Sequence, residues 1–213
     1  MKHSKTVAIV GGGRLSKQFI AEIAKSDYVI GVDRGAYWLI ANNIIPDIAI
    51  GDFDSVNPRE LRVIKQKVKR TEEYPRKKDA TDMELAVEHT ISLHPTEVAI
   101  YGAVGSRLDH TMGNIYLLKK LNKARIAGVI RDLNNEVRVV NDRVAISKDT
   151  RYRYVSLLPV TETIEVTLRG FIYDVSCAVL RRGQTLGISN EIRGYDATIE
   201  VHDGKALVIR SRD

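Results

Sequence analysis

Two carboxylates flanking a phenylalanine, Asp52 and Asp54, close the segment Pro46-Asp47-Ile48-Ala49-Ile50-Gly51-Asp52-Phe53-Asp54-Ser55. Carboxylate oxygens bind hard divalent cations, and alternate residues of extended chain project the same way, so this pair can grip one ion. Beside bound phosphates such a pair would mean Mg²⁺ chemistry on a nucleotide. Asp and Ser are also ordinary turn residues, so the pair needs partners before it means anything. The segment Lys77-Lys78-Asp79-Ala80-Thr81-Asp82-Met83-Glu84 offers them. Thr81 and Glu84 have capping-box spacing, and Asp82 falls on a first helical turn, where the dipole favours a carboxylate. A cap alone leaves the two lysines unexplained. Asp82 as a third cation ligand, with Lys78 near the phosphates, explains them.

Three further loops carry unusual chemistry: Gly11-Gly12-Gly13-Arg14, Asp33-Arg34-Gly35, and Gly102-Ala103-Val104-Gly105-Ser106-Arg107-Leu108-Asp109-His110. Gly11, Gly12 and Gly13 could let backbone N–H groups approach phosphate, or could make a tight turn alone; they match neither the dinucleotide fingerprint nor the Walker lysine loop. Arg34 and Arg107 carry the planar fork that suits phosphate oxygens. His110 draws interest by its place in the glycine loop. His3 and His202 lack metal-ligand spacing, and His89 and His94 read as surface or core residues. Ser55 has no paired base in sequence, which leaves nucleophilic serine chemistry without support.

The elements that must position these residues follow from the periodicity. Strand-like runs at Thr6 to Val10, Tyr28 to Val32, Asp47 to Ile50, Val98 to Tyr101 and Arg125 to Ile130 alternate with helical patterns at Leu15 to Lys25, Ala36 to Asn43, Pro58 to Arg70, Thr81 to Leu93 and Thr111 to Leu121. That alternation predicts a doubly wound, mostly parallel sheet with helices on both faces. Four of the loaded loops, at 11–14, 33–35, 51–54 and 102–110, leave the carboxyl ends of its strands, the edge where open α/β sheets bind ligands. After about Asp132 the pattern changes to short β runs separated by Gly and Asn/Asp turns, which predicts a small antiparallel β-sandwich. The expected domains are residues 1–132, α/β, and 133–213, all-β.

Composition narrows the class. With 213 residues and 44% hydrophobic content the chain can bury a core without staples. Its single cysteine, Cys177, excludes an internal disulfide framework and a cysteine-built zinc site. No apolar run is long enough to span a bilayer and the start lacks a signal-peptide core, so the expectation is an unprocessed cytoplasmic protein with no membrane partner. The formal net charge of +6 is dispersed, and its densest stretch, Arg59 to Arg70, interleaves with Leu61, Val63, Ile64 and Val68 at helical spacing. That pattern predicts a solvated helix face, with no nucleic-acid partner.

Taken in order, Gly51-Asp52-Phe53-Asp54-Ser55, Lys78-Asp79-Ala80-Thr81-Asp82, Gly105-Ser106-Arg107-Leu108-Asp109-His110 and Gly187-Ile188-Ser189-Asn190-Glu191 resemble the thiamine pyrophosphokinase family. The likeness spans nearly the whole chain. It implies Mg²⁺-dependent transfer of a diphosphoryl group from ATP to the hydroxyl of thiamine, releasing AMP, by a homodimer with its site near the subunit interface. It implies that Asp52, Asp54 and Asp82 hold the metal and that Asp33 is an active-site acid on the thiamine side. Arg107 and Asp109 match the family's glycine-loop pair, Ser189 and Asn190 its thiamine-binding Ser-Asn, and Tyr173 an aromatic position. Two stretches depart from the pattern, Gly170-Phe171-Ile172-Tyr173-Asp174 and the arginine at Arg34.

For such chemistry the acids would hold Mg²⁺ across the polyphosphate, with Gly11 to Gly13, Arg34, Lys78, Gly105 and Arg107 on ATP. Asp79 or Asp109 could take the hydroxyl proton. The competing readings are a pyrophosphokinase of another small alcohol such as a hydroxymethyl pterin, a glycosyltransferase using Asp-x-Asp, and a non-catalytic nucleotide- or RNA-binding module.

Overall fold

Short runs of Val, Ile and Ala, too uniformly apolar for a surface element, become strands buried on both faces. The structure, a computed structural model, describes residues 5–213, so His3 lies outside the described residues. The chain divides into two units, Met1–Asp132 and Leu133–Asp213.

In the first unit the strands are β1 (Thr6–Val10), β2 (Tyr28–Val32), β3 (Ile48–Gly51), β4 (Thr71–Glu73), β5 (Glu97–Tyr101) and β6 (Ala127–Arg131). They lie in the order β6-β5-β1-β2-β3-β4, all parallel. The helices are α1 (Ile20–Ile23), preceded by a 3₁₀ turn at Lys17–Phe19, then α2 (Arg34–Ala41), α3 (Pro58–Lys67), α4 (Asp82–Ser92) and α5 (Leu108–Lys123). The winding reverses between β1 and β5, so the loops that follow these two strands are neighbours. Ala8 and Val10 pack with Phe19, Ile23 and Leu39, while Ala49 and Phe53 pack with Ala36, Ile64 and Val68. Trp38 packs at the edge of the first of these clusters, as a core aromatic. Asn57 and Glu60 close a reciprocal capping box on α3 with Pro58 at its first turn, and the basic residues of that helix, Arg59, Arg62, Lys65 and Lys67, are exposed.

Several boundaries differ from the sequence expectation. The first helix shrinks to a 3₁₀ turn and four α residues, because Ala24, Lys25 and Ser26 close with tight backbone bonds and the chain turns into β2. Helix α3 ends at Lys67, and the polar run Thr71–Glu73 becomes an edge strand that periodicity did not reveal. The reciprocal half of the expected Thr81/Glu84 box is replaced: Thr81 Oγ1 accepts from the Glu84 N–H, but the Glu84 carboxylate pairs with Lys120 at 2.5 Å.

The second unit holds β7 (Asn135–Val140), β8 (Arg143–Ser147), β9 (Tyr154–Pro159), β10 (Thr163–Arg169), β11 (Val175–Arg181), β12 (Asn190–Glu191), β13 (Asp196–Asp203) and β14 (Ala206–Ser211). Antiparallel neighbours run β12-β9-β14-β7 and β11-β10-β13-β8. Val155, Leu157 and Val208 from the first set and Ile164, Val166 and Ile199 from the second share one core, which makes a sandwich. Cys177, on β11, is free and exposed.

Candidate functional site

The carboxyl ends of β1, β2, β3 and β5 and the first turn of α4 meet at a cavity of about 620 Å³. Gly11 to Gly13, Asp33, Asp82, Gly105 and Arg107 line it. Asp33, Asp52 and Asp82 each present a carboxylate oxygen within 4.8 Å of the others. Three separate loops therefore deliver one acidic cluster to the sheet edge.

Each acid is placed by local backbone chemistry. Asp33 follows β2 as the N-cap residue of α2 with φ 48, and its Oδ1 accepts the Phe53 N–H at 3.1 Å. A Cβ on Gly51 would lie 1.9 Å from that oxygen, so glycine at 51 makes room for the Asp33 carboxylate. Asp52 Oδ1 accepts the Asp54 N–H at 3.1 Å, the short-range turn bond that fixes its rotamer. Asp82 occupies the first residue of α4 behind the Thr81 cap. Asp54 itself is exposed, outside that cluster, with Arg76 at 3.9 Å.

Burial, with crowding of like charge behind it, sets the electrostatics. Burial, then the negative charge of Asp82, pushes the Asp33 carboxyl up to about 7, against the lowering effect of the Phe53 N–H. Burial also works against the Asp52 carboxylate, but the Asp54 N–H and the Lys78 ammonium more than offset it and hold it below its usual range. Lys78 Nζ stands 2.9 Å from Asp82 Oδ1 and 3.3 Å from Asp52 Oδ2. Asp82 Oδ1 is buried and lacks hydrogen-bond alignment even there. All-oxygen donors, a buried carboxylate oxygen without a directed bond and a carboxyl driven towards neutrality together fit a hard divalent cation.

The glycine loops interlock. The N–H groups of Gly11, Gly13 and Arg14 donate to the carbonyls of Tyr101, Gly102 and Val104 at 2.7 to 2.8 Å. A Cβ on Gly13 would meet the carbonyl oxygens of Val104 and Gly102 at 2.5 and 2.6 Å. These glycines thus let two loops pack backbone to backbone, and the N–H groups of Gly11 and Gly13 are already engaged. Gly105 donates to Thr111 Oγ1 at 3.3 Å, and Asn114 Nδ2 donates to the Ala103 carbonyl at 2.8 Å, so α5 braces the second loop.

The other residues singled out from sequence fall as follows. Arg107 is paired with Asp109 at 2.6 Å, both exposed, and this ion pair, with the His110 N–H, brings the Asp109 carboxyl down to about 2. Helix α5 begins at Leu108, so Asp109 and His110 sit on its first turn and not in the loop. Arg34 and Asp79 are exposed and do not line the cavity. His110 and Asn114 do line it. Asn114 was missed, although its four-residue spacing from His110 places both on one helix face.

In the second unit Asn190 is buried. Its Oδ1 accepts the N–H groups of Tyr173 at 3.1 Å and Glu191 at 2.9 Å, and its Nδ2 donates to the Tyr173 carbonyl at 2.9 Å. The Tyr173 side chain is 70% exposed. Ser189 is exposed with φ 61, its N–H donating to Ser156 Oγ at 3.0 Å.

Comparison with known proteins matches this arrangement at both units. A family model described as "Thiamin pyrophosphokinase, catalytic domain" matches residues 19–130, and one described as "Thiamin pyrophosphokinase, vitamin B1 binding domain" matches residues 142–206. The chain is 36% identical over 215 residues to the thiamine pyrophosphokinase of Bacillus subtilis (strain 168), covering 98% of this chain and 100% of that one. A crystal structure of thiamine pyrophosphokinase from Bacillus subtilis matches with a TM-score of 0.90 at 34% identity, covering 98% of this chain and 100% of the other. That from Geobacillus thermodenitrificans matches at 0.87 and 35%, covering 98% of each.

Proposed function

The chain belongs to the thiamine pyrophosphokinase family and is an ATP-dependent thiamine diphosphokinase; from that premise we propose how its own residues carry the reaction. The thiamine hydroxyl oxygen attacks the β-phosphorus of ATP, the bond from that phosphorus to the α–β bridging oxygen breaks, and AMP leaves. The observation that carries the assignment of residues is the meeting of Asp33, Asp52 and Asp82 at the cavity edge.

Asp52 and Asp82, with Asp33 beside them, would hold Mg²⁺, and Asp54 stands at the rim of that group. Bound there, the ion would neutralise polyphosphate charge and align the phosphoryl oxygens. Arg107, on the cavity wall, can exchange its exposed Asp109 partner for phosphate oxygens, because solvent screens an exposed ion pair and leaves it weakly held. Lys78 brings a further positive charge to the acid cluster. The interlocked loops at Gly11 to Gly13 and Gly102 to Gly105 give a rigid wall whose narrow glycine surface admits the nucleotide closely. Phosphoryl transfer asks chiefly for position and charge neutralisation, so no strong general base is required, and Asp79 and Asp109 are exposed candidates to receive the hydroxyl proton.

We assign thiamine recognition to Tyr173, Ser189 and Asn190, and give Asp33 a thiamine-side role as well. Tyr173 offers an exposed ring face to the cationic thiazolium, and Asn190 fixes the backbone that carries it. Residues 1–132 are assigned to ATP and Mg²⁺ and residues 133–213 to thiamine. A homodimer is supported by an apolar stripe on α5, where Leu108, Met112 and Tyr116 stand exposed at successive four-residue steps. A cytoplasmic setting is supported by one free, exposed cysteine; among the described residues no helix is long and apolar enough to cross a membrane.

The test is incubation with thiamine and Mg-ATP followed by mass analysis. Thiamine diphosphate and AMP are expected in equal amounts. Thiamine monophosphate with ADP, or nucleotide turnover without a thiamine product, would overturn the reading.

A further inference from the structure

Lys78 approaches two of the three acids in the cluster, and its side chain is 13% exposed. Its segment, Lys77 to Ala80, is neither helix nor strand, so the lysine can move without breaking a backbone ladder. We propose that Lys78 is a built-in counter-ion for the acid cluster, its ammonium standing between Asp52 and Asp82 in the metal-free enzyme and leaving them when a divalent cation enters. This inference rests on the metal assignment made above.

Three observations carry it. The ammonium draws on Asp52 and Asp82, the carboxylates a divalent ion would also need, and Mg²⁺ binds its oxygens at about 2.0–2.1 Å in a shell of six that leaves no room for a competing cation on the same oxygens. Its hold is only partly directional, since Nζ donates a long hydrogen bond to Asp52 Oδ2 at 3.3 Å while Asp82 Oδ1 stays without hydrogen-bond alignment at 2.9 Å, so release forfeits little geometry. It also serves the cluster incompletely. Asp33 stands within 4.8 Å of both partners, yet the ammonium pairs only with Asp52 and Asp82.

A long, flexible stem with a compact charge suits this exchange, whereas the rigid fork of an arginine would not. On metal entry the freed ammonium, on a segment outside helix and strand, becomes available to the polyphosphate, so one residue neutralises acid before binding and phosphate after it. Metal binding in the absence of nucleotide must then displace Lys78 and is correspondingly weak.

The probe is Mn²⁺ alone, without nucleotide, with the unbound ion counted by electron paramagnetic resonance. Lys78→Met keeps the apolar stem and removes the charge; its Mn²⁺ dissociation constant should fall on the order of tenfold or more relative to wild type. Lys78→Gln, a smaller polar change, guards against misfolding and should move the same way, while Asp52→Asn should weaken binding. In ¹⁵N-lysine spectra of the wild type, the signal absent from Lys78→Met should shift on saturation with Mg²⁺. Equal Mn²⁺ affinity in wild type and both Lys78 variants, or an unmoved Lys78 signal, overturns the counter-ion role alone. Failure of every form to bind Mn²⁺, with no effect of Asp52→Asn, overturns the metal assignment and this inference with it.

Discussion

Asn190 holds Tyr173 by both of its backbone groups, accepting the N–H at 3.1 Å and donating to the carbonyl at 2.9 Å. A side-chain amide here imitates a strand partner across 17 residues of sequence, and the exposed ring stands on that fixed backbone. With three of its bonds spent on the main chain, Asn190 would, under the assignment proposed above, act on thiamine through Tyr173.

Asn190→Ala should therefore raise the KM for thiamine on the order of tenfold and leave the KM for ATP within about twofold. Leaving the buried backbone groups unpaired should also cost about 1–3 kcal/mol of stability. Steady-state kinetics varying each substrate in turn gives the split, and a change confined to ATP would refute the assignment of this unit to the vitamin.

Asp52→Asn and Asp82→Asn should each reduce kcat/KM by about 10²–10³ at saturating Mg²⁺, because each removes a proposed ligand of the cation that would neutralise the transferring group. Asp54→Asn should cost less than either, since its carboxylate is exposed and stands outside the group of three. Kinetics of the three variants in parallel, with circular dichroism to verify folding, checks the order.

Asp33 makes the metal-free fold sensitive to pH. Its carboxyl holds its proton up to about pH 7 in the folded chain, against an ordinary value of 3.8. The folded state thus binds a proton that the unfolded chain has released, so this contribution is complete below about pH 4 and is lost as pH rises through about 7. Thermal melts of EDTA-treated protein at pH 5 and pH 8 should show a larger fall for wild type than for Asp33→Asn. Added Mg²⁺ should restore the wild type at pH 8. A pH slope unchanged by the substitution would remove Asp33 from this role.

Gly13→Ala should destabilise the protein by about 1–3 kcal/mol, as overpacked sites do, because the added methyl would meet two carbonyl oxygens. The loops must part to accept it, so the KM for ATP should rise as well. Denaturant unfolding together with ATP kinetics tests both.

The strands were legible because burial on both faces leaves an unbroken apolar run, and the loaded loops were legible because turn and acid residues interrupt it. Strand β4 was hidden: Thr71, Glu72 and Glu73 form a polar edge with no apolar period to read. At the site, Asp52, Asp82 and Lys78 could be picked out by residue type and spacing. That Asp33, more than Asp54, completes the close group depends on an unusual backbone angle and on space left by Gly51, and neither leaves a mark in local periodicity. Likewise, the engaged N–H groups of Gly11 and Gly13 depend on carbonyls some ninety residues away in sequence, contacts that only folding creates.

The lone thiol has a practical corollary. Cys177 is the chain's one cysteine and lies open to solvent on β11. A maleimide dye will therefore attach at one defined position without any engineering, and polarisation of its emission can follow the tumbling of the labelled particle as protein concentration is raised.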